Sequence, residues 1–306
     1  MEMPGHVPVL KEEAVQLLLT DPNGTYVDAT LGGGGHAAAI LESLGEDGRL
    51  VGLDCDPAQV SGARANAPAP EPRFVARRAR FSTMEEVLAD LGIRQVDGVL
   101  ADLGISSDQL DDPRRGLAFS ASGPLDMRLD PSLPLTADAY LRGADDAAIL
   151  RVLQEYGEVP RARAVLRGMR RALEAERPLT TEGLRLALEP LFPGPSRPRR
   201  LSQVFQALRI AVNHELEELT SLLRAAENIV RPGGTLCVIA YHSLEDRCVK
   251  HAFRPPRSSD PFAPAPLSAW DVVTRKPVRP SAEETRRNPR ARSARLRAAR
   301  RRGKAE

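Results

Sequence analysis

The sequence predicts an α/β fold: an open, mostly parallel, doubly wound sheet with a helical domain inserted into it. Three observations predict this. Short, nearly continuous apolar runs alternate with helical segments. Four glycines, Gly32 to Gly35, lie between the first such run and an alanine-rich helical pattern. The alternation then stops from about 111 to 200, where no strand pattern is found, and resumes afterwards.

Taken in order, "TYVDA" (25–29), "RLVGLD" (49–54), "RFVAR" (73–77), "VDGVLADL" (96–103) and "TLCVIAY" (235–241) read as strands. Such runs suit a parallel sheet covered on both faces. Helical patterns at 36–44, 57–66 and 82–91 separate the early strands, giving a βαβαβαβ series. The middle of the chain carries helical stretches near 136–142, 144–156, 160–176 and 180–190. Thr136 is placed as an N-cap, and Pro160 as a residue of a first helical turn. "FPGPSRPRR" (192–200) reads as a linker, and one long helix is expected over roughly 201–230, ending at "RPGG". Residues 254–267, with five prolines, read as a loop or lid, and 281–306 as a low-complexity segment. The expected division is a sheet domain in two parts, 1–110 and 201–285, an inserted helical domain, 111–200, and a basic C-terminal strand and tail, 286–306.

The bulk composition fits a soluble globular protein with a sizeable core: 306 residues, 42% apolar and 27% charged. No apolar run reaches the roughly 18 residues of a membrane span. The N-terminus lacks a basic segment followed by an apolar one, so a cytoplasmic protein without a membrane partner is expected. Cys55, Cys237 and Cys248 show no paired spacing and read as reduced thiols. From Arg286 to Glu306 nine Arg and one Lys face one Glu, a surplus of +9, which leaves −7 for the rest against a total of +2. A basic end on a mildly acidic body points to a polyanionic partner.

Glycines after a strand let a ligand approach the backbone, and the helix start behind them favours negative or polar groups. The register Gly32-x-Gly34-x-x-Ala37 satisfies a dinucleotide pattern, and Asp54 lies where a ribose-binding carboxylate belongs. An NAD(P)-dependent oxidoreductase is therefore one reading. Asp28, however, ends the first strand, where it would repel a pyrophosphate and receive the ammonium of a methionine moiety. Asp102 ends the fourth strand, where an adenine amino group or a reacting amine would lie. The helix, Pro-Gly turn and strand of "NIVRPGGTLCVIAYHS" (228–243) resemble the same stretch of class I methyltransferases. Together these favour S-adenosyl-L-methionine.

Eight blocks carry a more specific resemblance: "HVPVL", "DATLGGGGH", "GRLVGLDCDP", "DLGISSDQLDDPRRG", "GPLDMRLDP", "FQALRIAVNHEL", "PGGTLCVIAYHSLEDRCVK" and "NPRARSARLR". In this order they resemble the bacterial 16S ribosomal RNA cytosine-N(4) methyltransferases, the MraW family. The resemblance implies a class I, Rossmann-like methyltransferase fold with a helical insert. It implies methylation of the exocyclic 4-amino group of a cytosine in the decoding region of 16S rRNA, on the assembled small ribosomal subunit, and it is compatible with a homodimer. It implies cofactor contacts at Gly34, Gly35, His36, Asp54, Phe81, Asp102 and Gln109. His36 has no companion at metal-ligand spacing, and no metal is expected.

The sulfonium methyl group is already electrophilic, so the protein's chief task is to place the nucleophile in line and stabilise the right geometry. Cytosine's exocyclic nitrogen is a poor nucleophile because its lone pair is conjugated with the ring. Asp102, in "DLGISS", is placed to serve either the cofactor or that amine. In "YHSLEDR", Tyr241 is a candidate for stacking on the base, and His242, Ser243 and Arg247 for holding the base or a phosphate. Ser243 is also expected to cap the following helix, and Glu245 and Asp246 to be partly surface charges. Asp126 and Arg128, in "GPLDMRLD", are candidate substrate contacts. The target base must leave its stack. With aromatics at 4%, binding is expected to rest on the basic tail and the arginines of 161–171 and 197–200. A non-catalytic ribosome-assembly factor is a further alternative, against which the retention of Asp28, Asp54 and Asp102 counts.

Overall fold

The structure, a computed structural model, describes residues 8–66, 69–175, 177–256 and 268–303. It divides into two compact units: residues 1–104 with 216–306, and residues 105–215. The second break falls later than the proline-rich stretch suggests. Helix Arg197–Asn213 buries Leu201, Val204, Phe205 and Leu208 in the core of the helical unit, which binds it to that unit.

The sheet unit contains α1 (Lys11–Leu18), β1 (Thr25–Asp28), α2 (Gly35–Ser43), β2 (Arg49–Asp54), α3 (Pro57–Ala65), β3 (Phe74–Arg78), α4 (Met84–Asp90) and β4 (Val96–Asp102). Its seven-stranded sheet has the order β3-β2-β1-β4-β5-β7-β6, where the strands from the second half of the chain are β5 (Val230–Ala240), β6 (Trp270–Val272) and β7 (Arg295–Arg301). β1 to β5 run parallel, and β7 lies antiparallel to both β5 and β6. Successive strand residues feed opposite faces, as the pleat requires. Val27, Val51, Val99 and Leu236 belong to one core, whereas Tyr26, Leu50, Leu100 and Cys237 belong to the other. Both faces are covered, which is why these strands read as unbroken apolar runs.

Of the seven strands, β7 is the C-terminal strand expected within 286–306, whereas β6 was not read from the sequence. β6 has only three residues, and β7 reads RLRAARR, where arginines mask the buried Leu296, Ala298 and Ala299. The expected low-complexity segment is thus ordered through 303: a short helix Ala282–Arg287, a 3-10 turn Pro289–Ser293, then β7. Several of its arginines have internal partners rather than a free polyanion-binding role. Arg297 donates to Asp246 at 2.6 Å, Arg301 donates to the carbonyls of Glu227 and Ala269, and Arg302 pairs with Asp271 at 2.7 Å.

Among the described residues, the helical unit holds six α-helices at Ser107–Asp111, Ala137–Gly143, Asp146–Glu155, Ala162–Ala175, Thr181–Leu188 and Arg197–Asn213. Their apolar stripes meet in one core that includes Leu141, Ile149, Val165, Met169, Leu184 and Leu208. Thr136 caps its helix as expected, accepting from Ala139 N–H at 3.1 Å. Pro160 does not lie in a helical turn: Arg161 adopts φ 58°, and the helix starts after it. The single helix expected over 201–230 is two. Helix Arg197–Asn213 ends at His214, which takes φ 54°, and a separate helix, Glu215–Ile229, follows. Asn213 fixes that end by donating to the Met127 carbonyl at 2.8 Å and accepting from Leu129 N–H at 2.7 Å. Residues 257–267 of the expected loop or lid lie outside the described residues. Among the described residues no helix is long and apolar enough to cross a membrane.

Candidate active site

Parallel strands bring their C-terminal ends to one edge of the sheet, and ligands of open α/β sheets gather there. β1 pairs Asp28 with Gly52 of β2 and with Leu100 of β4, so Asp54 and Asp102 each lie two residues beyond Asp28's level. The chain after β1 stays tied to both neighbours: Ala29 N–H donates to the Leu100 carbonyl and Leu31 N–H to the Leu53 carbonyl, each at 2.8 Å. Leu31 comes so close to β2 that a Cβ on Gly52 would fall 2.6 Å from its side chain. Gly32 (φ 48°) and Gly34 (φ 83°) then turn the chain into α2, a conformation that costs an L-residue about 1–2 kcal/mol. Gly33 faces open space, with nothing within 4 Å of where a side chain would begin.

The three carboxylates sit in different surroundings. Asp28 is fully buried; its Oδ1 accepts from Thr30 N–H at 3.1 Å, and its Oδ2 has no hydrogen-bond partner. Burial pushes its pKa up from 3.8 to about 6, against the opposing pull of His36 and of the Thr30 amide. Asp54 accepts from Gly32 N–H and Asp56 N–H, both at 2.9 Å, and burial raises its pKa despite these bonds. Asp102 is the tie point. Its amide donates to Thr30 Oγ1 at 2.6 Å, its Oδ1 accepts from the Tyr241 hydroxyl at 2.8 Å, and its Oδ2 lies 3.4 Å from His36 Nε2. His36 is buried in the first turn of α2. Burial opposes its charge, yet Asp102 and Asp28 outweigh burial and raise its pKa. Burial, with Asp102 beside it, also lifts the Tyr241 phenol well above its ordinary range, so it remains a donor.

β5 ends beside this cluster and leads into helix α5 (Ser243–Phe253). Its N-cap is His242, not Ser243. Glu245 is buried, rather than a surface charge, because it closes this turn: its carboxylate accepts from the amides of Tyr241 at 2.8 Å and His242 at 3.2 Å. His242 Nδ1 in turn accepts from Glu245 N–H. This is a capping box with histidine in the place usually taken by Ser or Thr. Ser243 is the exposed first helical residue, and Arg247 is exposed one turn on.

Asp28, Thr30, His36, Asp102 and Tyr241 therefore join one network, and Asp54 is tied to the adjoining glycine turn through the Gly32 amide. Phe81 opens the 3-10 turn after β3 and packs partly buried against the core that holds Leu53 and Met84. Gln109, in the helical unit, is buried and forms a capping box with Ser106. Asp126 and Arg128, also in that unit, form a bidentate pair at 2.7 and 2.8 Å, and Arg128 further donates to the carbonyls of Pro131 and Leu133. The pair braces its own loop. Burial works to raise the Asp126 pKa, but Arg128 outweighs it and holds it below the usual value. Sequence reasoning missed the roles of Thr30 and Glu245. The Asp28-x-Thr30 spacing of an Asx turn signals the first, and a Glu three residues after a cap signals the second.

The sequence pattern of the MraW methylase family matches residues 3–302. Ribosomal RNA small subunit methyltransferase H of Sorangium cellulosum is 46% identical over 304 residues, covering 98% of this chain and 92% of its own. The protein of that name from Thermomicrobium roseum is 44% identical over 305 residues, covering 97% and 93%. With a match over nearly its whole length, the chain belongs to the MraW methylase family.

Proposed function

We propose that the protein uses S-adenosyl-L-methionine to methylate the exocyclic 4-amino group of a cytosine in the decoding region of 16S rRNA, within the assembled small ribosomal subunit. The observation that carries the reading is the row of carboxylates Asp28, Asp54 and Asp102 around a glycine turn with open space over Gly33. The names borne by the relatives supply the substrate class.

The residues fit the cofactor. Asp28 keeps one buried oxygen without a partner, which suits a cationic ligand nearby and opposes a pyrophosphate. That asymmetry favours S-adenosyl-L-methionine over NAD(P). Asp54, at the end of β2, accepts from the amides of Gly32 and Asp56 and would be the carboxylate that meets the ribose hydroxyls. Within the sheet unit, Gly34, Gly35 and His36 would line the methionine side, with Phe81 towards the adenine. When bound, the cofactor supplies a methyl group made electrophilic by its positive sulfur.

Asp102 acts on the amine. Tyr241 and His36 hold its two oxygens in place, and a carboxylate so fixed can accept a hydrogen bond from the 4-amino group. That bond weakens conjugation into the ring and exposes the nitrogen lone pair. The amine gives up one proton on methylation, and Asp102, held in this way, would be the base that receives it. Tyr241 acts through Asp102 rather than as a base, since its phenol is held neutral. His242 and Ser243 follow Tyr241 directly at the start of helix α5, with Arg247 one turn on.

Titration calorimetry tests the cofactor. Micromolar binding of S-adenosyl-L-methionine and none of NAD or NADP is expected; the reverse would make the protein an oxidoreductase. Asp102→Ala should lower methyl transfer to unmodified small subunits by about 10²–10⁴-fold while leaving RNA association intact. Unchanged transfer would remove Asp102 from its role.

A further inference from the structure

Helix α5, which starts beside Tyr241 and His242, has two faces of different chemistry. Glu245, Val249 and Phe253 are buried against the sheet unit. Its acidic residues are also turned to internal use. Glu245 caps the helix, and Asp246 is held by Arg297 at 2.6 Å and Arg295 at 3.5 Å. What remains outside is cationic. Arg247, Lys250 and His251 are exposed at i, i+3 and i+4, and exposed Arg254 follows at the C-cap. None of the four side chains has an acidic partner among the described residues.

The helix dipole accounts for cations in the last turn, where Lys250 and His251 lie. It does not account for Arg247, which lies nearer the N-terminus, where a positive charge is disfavoured. Asp246, the nearest acid on the helix, is already neutralised by arginines of β7. The outer face is therefore left without a counter-charge among the described residues.

We propose that this stripe is a docking surface for the phosphate backbone of the RNA strand that delivers the target base. It rests on the reading of the substrate as RNA. Arg247 to Arg254 span about 10 Å along the axis, room for two or three consecutive phosphates. The stripe begins one turn into the helix that directly follows Tyr241, the residue whose hydroxyl donates to Asp102, which places it next in the chain to the site. Neutralisation of phosphates by such cations is a sequence-independent anchor.

The test is the triple variant Arg247→Ala/Lys250→Ala/Arg254→Ala, compared with wild type and with Arg49→Ala/Arg94→Ala. The latter pair is exposed at the opposite, N-terminal ends of β2 and β4. Binding to unmodified naked 16S rRNA and to isolated unmodified small subunits is measured against salt, with thermal midpoint and S-adenosyl-L-methionine affinity as folding controls. The triple variant should bind both RNAs about tenfold more weakly or worse. Its slope of log K against log salt should shrink by about 2, three contacts at roughly 0.7 each. The control pair should match wild type. An unchanged slope on both substrates would overturn the proposal. Loss on subunits alone would assign the stripe to a ribosomal protein instead, which also overturns it. If wild type itself neither binds nor methylates the RNA, the proposed function fails, whatever the stripe does.

Discussion

Asp28 carries a conflict between stability and binding. Its pKa lies near 6 in the ligand-free protein, above its usual 3.8, because burial disfavours its charge. The folded state therefore holds this proton more tightly than the unfolded chain. Stability from this group is fully present below pH 3.8 and is lost as pH rises through about 6. The loss is about 3 kcal/mol. Asp28→Asn should consequently raise the thermal midpoint of the free protein by a few degrees at pH 8 and weaken cofactor binding, as scanning calorimetry and titration can show. Wild-type affinity for the cofactor should increase as pH rises through 6, and the variant should lose that dependence. A second prediction concerns Tyr241→Phe. It removes one hydrogen bond to Asp102, for about 1 kcal/mol of stability, and should lower the rate about tenfold at saturating cofactor with little change in cofactor affinity. The acids themselves were legible in the sequence, since each ends an apolar run. The roles of Thr30 and Glu245 were not, because their importance lies in which backbone amides they meet.

The glycine turn separates structural from ligand roles within one loop. Gly34 has φ 83°, so Gly34→Ala should destabilise the protein by about 1–2 kcal/mol in a denaturant titration. Gly33 has neither a positive φ of that kind nor a neighbour within 4 Å. Gly33→Ala should leave stability unchanged and weaken cofactor binding, because the methyl group would enter the space a ligand needs. Equal affinity would place the cofactor elsewhere. Among the elements, the parallel strands and their helices were readable from period and apolar runs. A C-terminal strand was expected within 286–306, but its limits were hidden among arginines, and only its pairing with β5 shows that Leu296 and Ala298 belong to the core. The break at His214 was also hidden, because both helices continue a helical period.

The sheet unit is assembled from both ends of the chain, with the helical unit between β4 and β5, and its last strand pairs with β5. Removing residues 286–306 should therefore abolish folding of that unit rather than merely weaken RNA binding. Circular dichroism with gel filtration would reveal the difference: a folded, monodisperse product would show that the unit does not need β7. The family-level resemblance was legible because its blocks fall at strand ends and turns, where chemistry restricts residue choice. The partners at those turns needed the fold. The most direct measurement is mass spectrometry of 16S rRNA from cells with the gene, without it, and without it but carrying Asp102→Ala. The account predicts that one decoding-region cytosine loses a methyl group on its 4-amino nitrogen in the second and third strains and keeps it in the first. An identical methylation pattern in all three would contradict it.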